Sequence, residues 1–159
     1  MKAFGFSLLF LILSTAAFAL NQSAELKGIK TVRITVSDLS DDLVRDGVEK
    51  ESIRTTLEVG LRAAGLNVLA QDHYDDAAPT ITVRVSAIRE PSGRFYATDI
   101  VLECVDNVSS SRIVGPFSAA IWSNDLLGLL GKLDLSKVVE GEKKLIDLFL
   151  NDYSEANPK

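Results

Sequence analysis

Cysteine and histidine are almost absent from this sequence, which contains one of each, Cys104 and His73. One cysteine excludes an internal disulfide, so packing alone has to stabilise the fold. One histidine leaves a serine or cysteine nucleophile with a single candidate base. No G-x-S-x-G turn is present to orient a serine, and the ten glycines form no phosphate-binding loop. These absences exclude the common nucleophilic and nucleotide-binding motifs.

The few chemically reactive side chains have structural explanations. Cys104 shares the phase of Ile100 and Leu102 in a predicted strand, so we expect it in the core as a small apolar residue. His73 lies in a polar segment with three aspartates, but the spacing matches no known metal-ligand pattern, and a solvated loop is the simpler interpretation. Glu103 lies either on the outer face of its strand or in a cleft. The sequence therefore predicts no catalytic residues, no metal ligands and no cofactor.

Basic residues are too few and too scattered to form a stripe. The chain has 22 acidic and 17 basic residues and a formal net charge of −5. A nucleic-acid-binding domain presents clustered lysine and arginine, and electrostatic docking on anionic lipid needs them as well. We therefore expect no nucleic acid among the partners of this protein and no electrostatic binding to a membrane.

The first nineteen residues have the three parts of a secretory signal peptide. Lys2 supplies the positive charge, residues 4–13 are apolar, and Ala17-Phe18-Ala19 supplies the small side chains before a cut. We expect cleavage after Ala19, because the alternative, an uncleaved anchor, would need about 20 apolar residues to span a bilayer. The remaining chain has 16 basic and 22 acidic residues and no second long apolar segment. The sequence therefore predicts a periplasmic or secreted protein without a transmembrane span.

Alternating and helical periodicities predict one domain over residues 29–154, between a flexible lead-in over 20–28 and a frayed tail over 155–159. The order β-α-β-β-β-β-α indicates an α+β two-layer sandwich, with a mostly antiparallel sheet covered on one face by two helices. The predicted elements are strands over 31–37, 66–69, 79–86, 95–108 and 114–122, helices over 50–64 and from Asp134 or Ser136 onward, and loops over 38–47 and 124–133.

Residues 113–133 form the most apolar stretch after the leader and contain the only tryptophan. In a regular strand Trp122 is out of phase with Phe117, Ala119 and Ile121, so one of the two sets would face outward. An exposed apolar cluster of this kind marks a contact with a partner or with lipid. The alternative is that the segment folds back and closes the core. The predicted partner-contact patch consists of Trp122, Leu126, Leu127, Leu129 and Leu130.

Three motifs follow one another along the chain: L-R-x-A-G-[IL]-x-V at residues 61–68, A-A-x-W at 119–122 and F-x-x-x-Y-x-x-x-N-P at 149–158. Together with the strand PTITVRVSAI, they resemble a group of small exported bacterial proteins of unknown function. The sequence departs from this group at Glu49, where a hydroxyl residue is expected to cap the helix. The resemblance implies export and assigns no activity and no site residues.

The sequence predicts a non-enzymatic exported module that binds an unknown protein partner or a component of the cell envelope. This hypothesis depends on the export signal, the absence of catalytic groups and the apolar segment over 114–133. The alternative is a carrier for a small molecule or lipid, with a pocket between the sheet and the helices. A third hypothesis, an enzyme that uses an aspartate or a glutamate, has no recognisable constellation of residues to support it.

Overall fold

The computed structural model describes residues 22–70 and 77–158. The predicted signal peptide with its cleavage after Ala19, and the single histidine, His73, lie outside these residues. The elements in chain order are β1 (Thr31–Val36), α1 (Asp41–Arg45), α2 (Lys50–Ala63), β2 (Asn67–Val68), β3 (Thr80–Arg89), β4 (Phe95–Ser110), β5 (Ile113–Gly131) and α3 (Lys137–Ala156), with 3-10 helices over Gln22–Leu26 and Lys132–Asp134.

One five-stranded sheet in the order β2-β1-β3-β4-β5 forms the first layer. β1 pairs in parallel with both β2 and β3, whereas β3, β4 and β5 are antiparallel neighbours. Most paired residues belong to the antiparallel part because β4 and β5 are long. The helices of the described chain pack on one face of this sheet and form the second layer. The predicted α+β two-layer fold is confirmed.

Helical spacing of apolar residues produces the two long helices. In α2, Ile53, Leu57 and Leu61 are fully buried, and the helix stops before Gly65, which has a φ of +94° that favours glycine. In α3, the predicted stripe of Val138, Leu145, Phe149 and Tyr153 faces inward, and its first three members are fully buried. Both helices thus begin and end close to where the sequence predicts.

Glycines bring the helices into direct contact with each other and with the sheet. A Cβ atom on Gly60 of α2 would lie 2.9 Å from Cγ2 of Ile146 on α3. A Cβ atom on Gly141 of α3 would lie 2.9 Å from Cδ1 of Ile100 on β4. Real Cβ atoms do not approach other carbons so closely, so α2 touches α3 at Gly60, and α3 touches the sheet at Gly141, with no space between them.

The strand β5 is longer than the sequence predicts. It continues from Ile113 to Gly131, and the predicted loop over 124–133 is wrong for most of its length. Two glycines in this region suggested a loop, but Gly128 lies opposite Thr98 in the register, and the Thr98 hydroxyl donates to the Gly128 carbonyl oxygen at 3.3 Å. The partner strand β4 therefore supplies the pairing that keeps this segment extended.

Three other segments are more ordered than expected. The predicted loop over 38–47 contains the short helix α1, whose Leu43 is fully buried. Within the predicted flexible lead-in, Leu26 is fully buried. Within the predicted frayed tail, the Asn157 side chain donates to the Leu26 carbonyl oxygen at 3.0 Å and accepts from the Gly28 backbone N–H at 2.7 Å. The two ends of the domain thus bind each other, a long-range contact that local periodicity does not reveal.

Candidate functional site on the open face of the sheet

A β-bulge in β5 decides which residues before Trp122 lie on the same side of the sheet as Trp122. Cys104 of β4 pairs with Trp122, but the next residue, Val105, pairs with Ala120, so Ile121 is an extra residue without an opposite partner. The extra residue shifts the alternation by one. As a result Trp122 and Phe117 share the helix-facing side of the sheet, although in a regular strand they would lie on opposite sides.

Trp122 is an anchor for α3 and is not part of a surface patch. It is 2% exposed, and its ring meets the Phe149 ring edge-on at a centroid distance of 5.1 Å. Its indole N–H donates to Oδ2 of Asp152 at 2.7 Å. The apolar body of the indole is therefore buried while its polar edge is satisfied by a carboxylate on the helix.

The four leucines of the predicted patch are divided between the two faces of the sheet, because successive residues of a strand point to opposite sides. Leu130 is 5% exposed, and Leu126 is partly buried against the core. Leu127 and Leu129 are 72% and 50% exposed on the other face. The predicted set of five residues therefore does not form one surface, and only two of its members are available to a partner.

Leu127 and Leu129 belong instead to an apolar surface formed by three strands. Ile88 of β3 pairs with Ala97 of β4, which pairs with Leu129 of β5, so these side chains lie in one row across the sheet. Ile88 is 77% exposed, and no helix of the described chain covers this face. We call this surface the outer patch and define it as Ile88, Phe95, Ala97, Leu127 and Leu129.

Three members of the outer patch, Ile88, Phe95 and Ala97, do not belong to the patch that the sequence predicts. Ile88 occupies a position that polar residues fill elsewhere in β3, at Thr82, Arg84 and Ser86. An apolar residue at a position where the alternation predicts a polar one is the sequence signal that could have identified Ile88 as an exposed apolar residue. Phe95, which is 36% exposed, lies at the first residue of β4, where the sequence pattern does not show which face it joins.

Two carboxylates lie beside the outer patch on the same face. Asp99 of β4 pairs with Leu127 of β5, and Asp125 lies two residues before Leu127 on the same strand. Oδ1 of Asp99 is buried and has no hydrogen-bond partner among residues 22–70 and 77–158. Burial, followed by the negative charge of Asp125, raises the pKa of Asp99, and Arg84 partly offsets this rise. The surface is therefore apolar with an acidic border.

Arg84 already has a carboxylate partner. Its guanidinium donates to both oxygens of Glu103 at 3.3 and 3.4 Å across the β3–β4 pair. Of the two positions left open by the sequence, the outer face is therefore the correct one for Glu103. Glu103 is therefore already paired within the sheet and adds little to the acidic border of the outer patch.

Cys104 lies in the core, as predicted. It is fully buried, and burial, with a smaller contribution from Asp106, raises the pKa of its thiol to about 12. No group of three or more histidine, cysteine, aspartate or glutamate side chains converges as a metal site within the described part of the chain. The buried thiol of Cys104 is thus not available as a nucleophile in the folded protein.

Cys104 should not react with a thiol reagent in the folded protein, because both burial and the raised pKa suppress the thiolate. At pH 7.5, Ellman's reagent is expected to label essentially no thiol in buffer and one thiol per chain in concentrated urea. Stoichiometric labelling of the native protein within minutes would show that β4 opens readily and that Cys104 is not a core residue.

No protein-family model matches this sequence, and no curated protein matches it. Among the solved structures that are similar to it are two lipoproteins. One is the crystal structure of a minor lipoprotein from Acinetobacter baumannii, at 12% sequence identity and a TM-score of 0.45, which covers 81% of this chain and 93% of that chain. The other is the crystal structure of the rare lipoprotein B from Shewanella oneidensis, at 14% identity and a TM-score of 0.33, which covers 79% of this chain and 95% of that chain. Likenesses this distant carry no information about activity or partners.

Proposed function

We propose that this protein is a non-catalytic binding module that works in the periplasm or outside the cell and contacts a protein partner through the outer patch. The observation that carries this proposal is the row of Ile88, Ala97 and Leu129 across three strands, with Leu127 beside it. Contiguous exposed apolar surface on a folded domain marks an interaction site more often than scattered apolar residues do.

The charges beside the outer patch favour a particular kind of partner. Asp99 and Asp125 border the apolar side chains, and one oxygen of Asp99 has no partner within the described chain. A lysine or arginine on the partner would pair with this acidic border and would offset the repulsion between the two carboxylates. The proposed partner surface is therefore apolar with a cationic side chain at its edge.

Export and a non-enzymatic role remain part of the proposal. The leader over residues 1–19 and the resemblance to exported bacterial proteins support the location. The burial of Cys104 supports a role without nucleophilic catalysis. Among the helices of the described chain, none is long and apolar enough to cross a membrane.

A carrier with a pocket between the sheet and the helices is the weaker alternative. The close approach at Gly141 brings α3 into contact with β4 and leaves no room for a pocket between this helix and the sheet. A ligand between α3 and β4 would need this contact to separate. Native mass spectrometry of protein purified from its natural host tests this alternative, because a co-purifying small ligand would favour the carrier.

The outer patch is tested by a double substitution, Leu127→Ser with Leu129→Ser. The protein is immobilised, partners are captured from a cell-envelope extract, and the affinity of each identified partner is then measured with purified protein. We expect the double variant to bind at least about tenfold more weakly, because apolar anchors at the centre of an interface carry most of its binding energy.

The matched control is Val59→Ser on α2, which is 62% exposed and lies on the helical side of the domain. This variant should bind as the unmodified protein does. Equal binding by the double variant, or equal loss in both variants, would show that the partner does not use the outer patch. Failure to recover any partner that binds the purified protein would also count against the proposal.

A further inference from the structure

A cavity of about 770 Å³ lies beside β1. It is at the end of the sheet opposite to β4 and β5, the strands that carry most of the outer patch. Its volume falls within the range of about 300–1,000 Å³ that is typical of ligand sites. The wall consists of the second half of β1, the first turns of α2, the residues that follow β2 and the first residue of β3. The lining residues are Arg33, Ile34, Thr35, Val36, Lys50, Glu51, Arg54, Leu69, Ala70 and Thr80.

This cavity exists because β2 is short. β2 pairs with β1 only at Thr31 and Val32, and its last bond to β1 runs from the Leu69 N–H to the Val32 carbonyl oxygen at 3.0 Å. Beyond Val32, the β2 side of β1 has no neighbouring strand within the described chain. The rest of β1 therefore lines the cavity with an edge that no strand of residues 22–70 or 77–158 pairs with.

The hydrogen-bonding direction of β1 shows which backbone groups lie on that edge. The N–H groups of Arg33 and Ser37 donate to the β3 side, to the carbonyl oxygens of Pro79 and Val83, both at 2.9 Å. Since the direction alternates along a strand, the backbone groups of Ile34 and Val36 face the cavity. One of them has a partner, the Ile34 carbonyl oxygen, which accepts from Nη1 of Arg54 at 3.5 Å.

The cavity is basic although the protein is acidic. Among the described residues, Arg33, Lys50 and Arg54 line it together with the carboxylate of Glu51, and Arg33 donates to the Ala78 carbonyl oxygen at 3.1 Å. Lys50 pairs with Asp38 at 2.7 Å, so the charge of Asp38 offsets one of the three positive charges. The partial positive charge of the helix N-terminus adds to this potential, so the site favours a ligand with negative charge.

The position in the fold is also one where ligands commonly bind. The chain leaves β1 through α2 to reach β2 on one side, whereas β3 lies on the other side of β1. The crevice at such a reversal of strand order is the usual ligand site of sheets with parallel strands. The cavity lies at this reversal, next to the residues that follow the end of β2.

We propose that the free edge of β1 binds an extended peptide segment with acidic side chains, which adds to the sheet as a short strand in place of a longer β2. A strand uses both the N–H and the C=O groups of Ile34 and Val36, whereas a free anion uses only the N–H groups. The acidic side chains pair with Arg54 and Lys50. At about 3.3 Å per residue, this edge accommodates a segment of about four or five residues.

The test is a titration of the full-length mature protein, labelled with nitrogen-15, with a blocked peptide of sequence Val-Glu-Val-Glu-Val. We expect saturable shifts of the Ile34 and Val36 amide resonances. The same peptide with lysine in place of glutamate should bind at least about tenfold more weakly, because it loses charge-assisted hydrogen bonds and meets like charges. A glutamate peptide that is N-methylated at alternate residues should also bind weakly, because it cannot donate to the strand.

Arg54→Gln should weaken binding of the glutamate peptide about tenfold, as expected for the loss of one hydrogen bond to a charged group. The matched control is Arg62→Gln near the end of the same helix, where the native side chain pairs with Glu58 at 2.6 Å, and this variant should bind normally. Lys50→Gln provides a second variant if Arg54→Gln unfolds.

Three results would overturn the proposal: no binding of the glutamate peptide at millimolar concentration, equal binding of the lysine or N-methylated peptide, or the same resonance shifts with inorganic phosphate or free glutamate. The last result would indicate an anion site only. The proposal is independent of the outer patch, because Leu127→Ser with Leu129→Ser should leave peptide binding unchanged.

Discussion

Replacing Glu142 with glutamine should remove most of the pH dependence of stability between pH 5 and pH 8. Glu142 lies on the inward side of α3, is 1% exposed, and neither carboxyl oxygen has a hydrogen-bond partner in the part of the chain that the structure describes. Burial raises the pKa of this side chain from 4.5 to about 8. The group is therefore protonated in the folded protein at neutral pH.

The sign of the effect follows from proton release. Between pH 5 and pH 8 the folded chain keeps the Glu142 proton, whereas the unfolded chain has already lost it. Rising pH therefore favours unfolding, and the stability falls until the folded group also ionises near pH 8. Since one pKa unit corresponds to about 1.4 kcal/mol, the free energy of unfolding should fall by about 3 to 4 kcal/mol over this range.

Urea denaturation at pH 5, 6, 7 and 8 measures the effect as the difference in unfolding free energy between the native sequence and Glu142→Gln. The difference cancels other titrating groups, including His73. The control is Glu140→Gln, an exposed position on the same helix, which should follow the native pH profile. If the native protein and Glu142→Gln showed parallel profiles, Glu142 would not be the protonated buried acid described above.

Trp122→Ala should destabilise the protein by about 3 to 5 kcal/mol, the usual cost of truncating a large buried aromatic residue. The substitution removes the edge contact with Phe149 and leaves Asp152 without the indole N–H. Because domains of this size are stable by about 5 to 15 kcal/mol, the loss is a large fraction of the total. Leu127 is 72% exposed, so Leu127→Ala should change stability by about 0.5 kcal/mol or less.

Thermal and urea unfolding of the two variants under identical conditions distinguish an anchor from a surface residue. Trp122→Phe serves as an intermediate variant: it keeps an aromatic ring against Phe149 and loses the hydrogen bond to the Asp152 carboxylate, so we expect a loss of about 2 kcal/mol. A Leu127→Ala variant as unstable as Trp122→Ala would mean that the helices cover the opposite face of β5. The assignment of the outer patch would then be wrong.

Local patterns were sufficient to predict most of the elements. The alternation in β1 and β3 and the apolar stripes in α2 and α3 are properties of neighbouring residues, and the structure contains each of them close to its predicted bounds. The prediction failed where pairing with a distant strand determines the backbone conformation. Residues 124–131 look like a glycine-rich loop in isolation, but β4 offers a complementary strand along their whole length. Pairing over such distances overrides local preference.

The candidate site was predicted only in part. Leu127 and Leu129 belong to both the predicted patch and the outer patch, whereas Trp122 and Leu130 face the core. The difference arises from the strand period of two, which sends successive residues to opposite faces; the bulge at Ile121 changes only where the residues before Trp122 point. Ile88 joins the same surface through a register that spans three strands, which no local pattern specifies.

The sequence by itself determined the charge balance, the absence of disulfide and nucleophile motifs, and the α+β order of elements, because composition and short-range periodicity set these properties. Only the tertiary structure decided which apolar residues are exposed, that Glu142 is buried, and that a strand edge opens onto a basic cavity at Ile34 and Val36. These features depend on strand register, on a bulge and on the shortness of β2. Each of them arises from contacts between residues that are far apart in the chain.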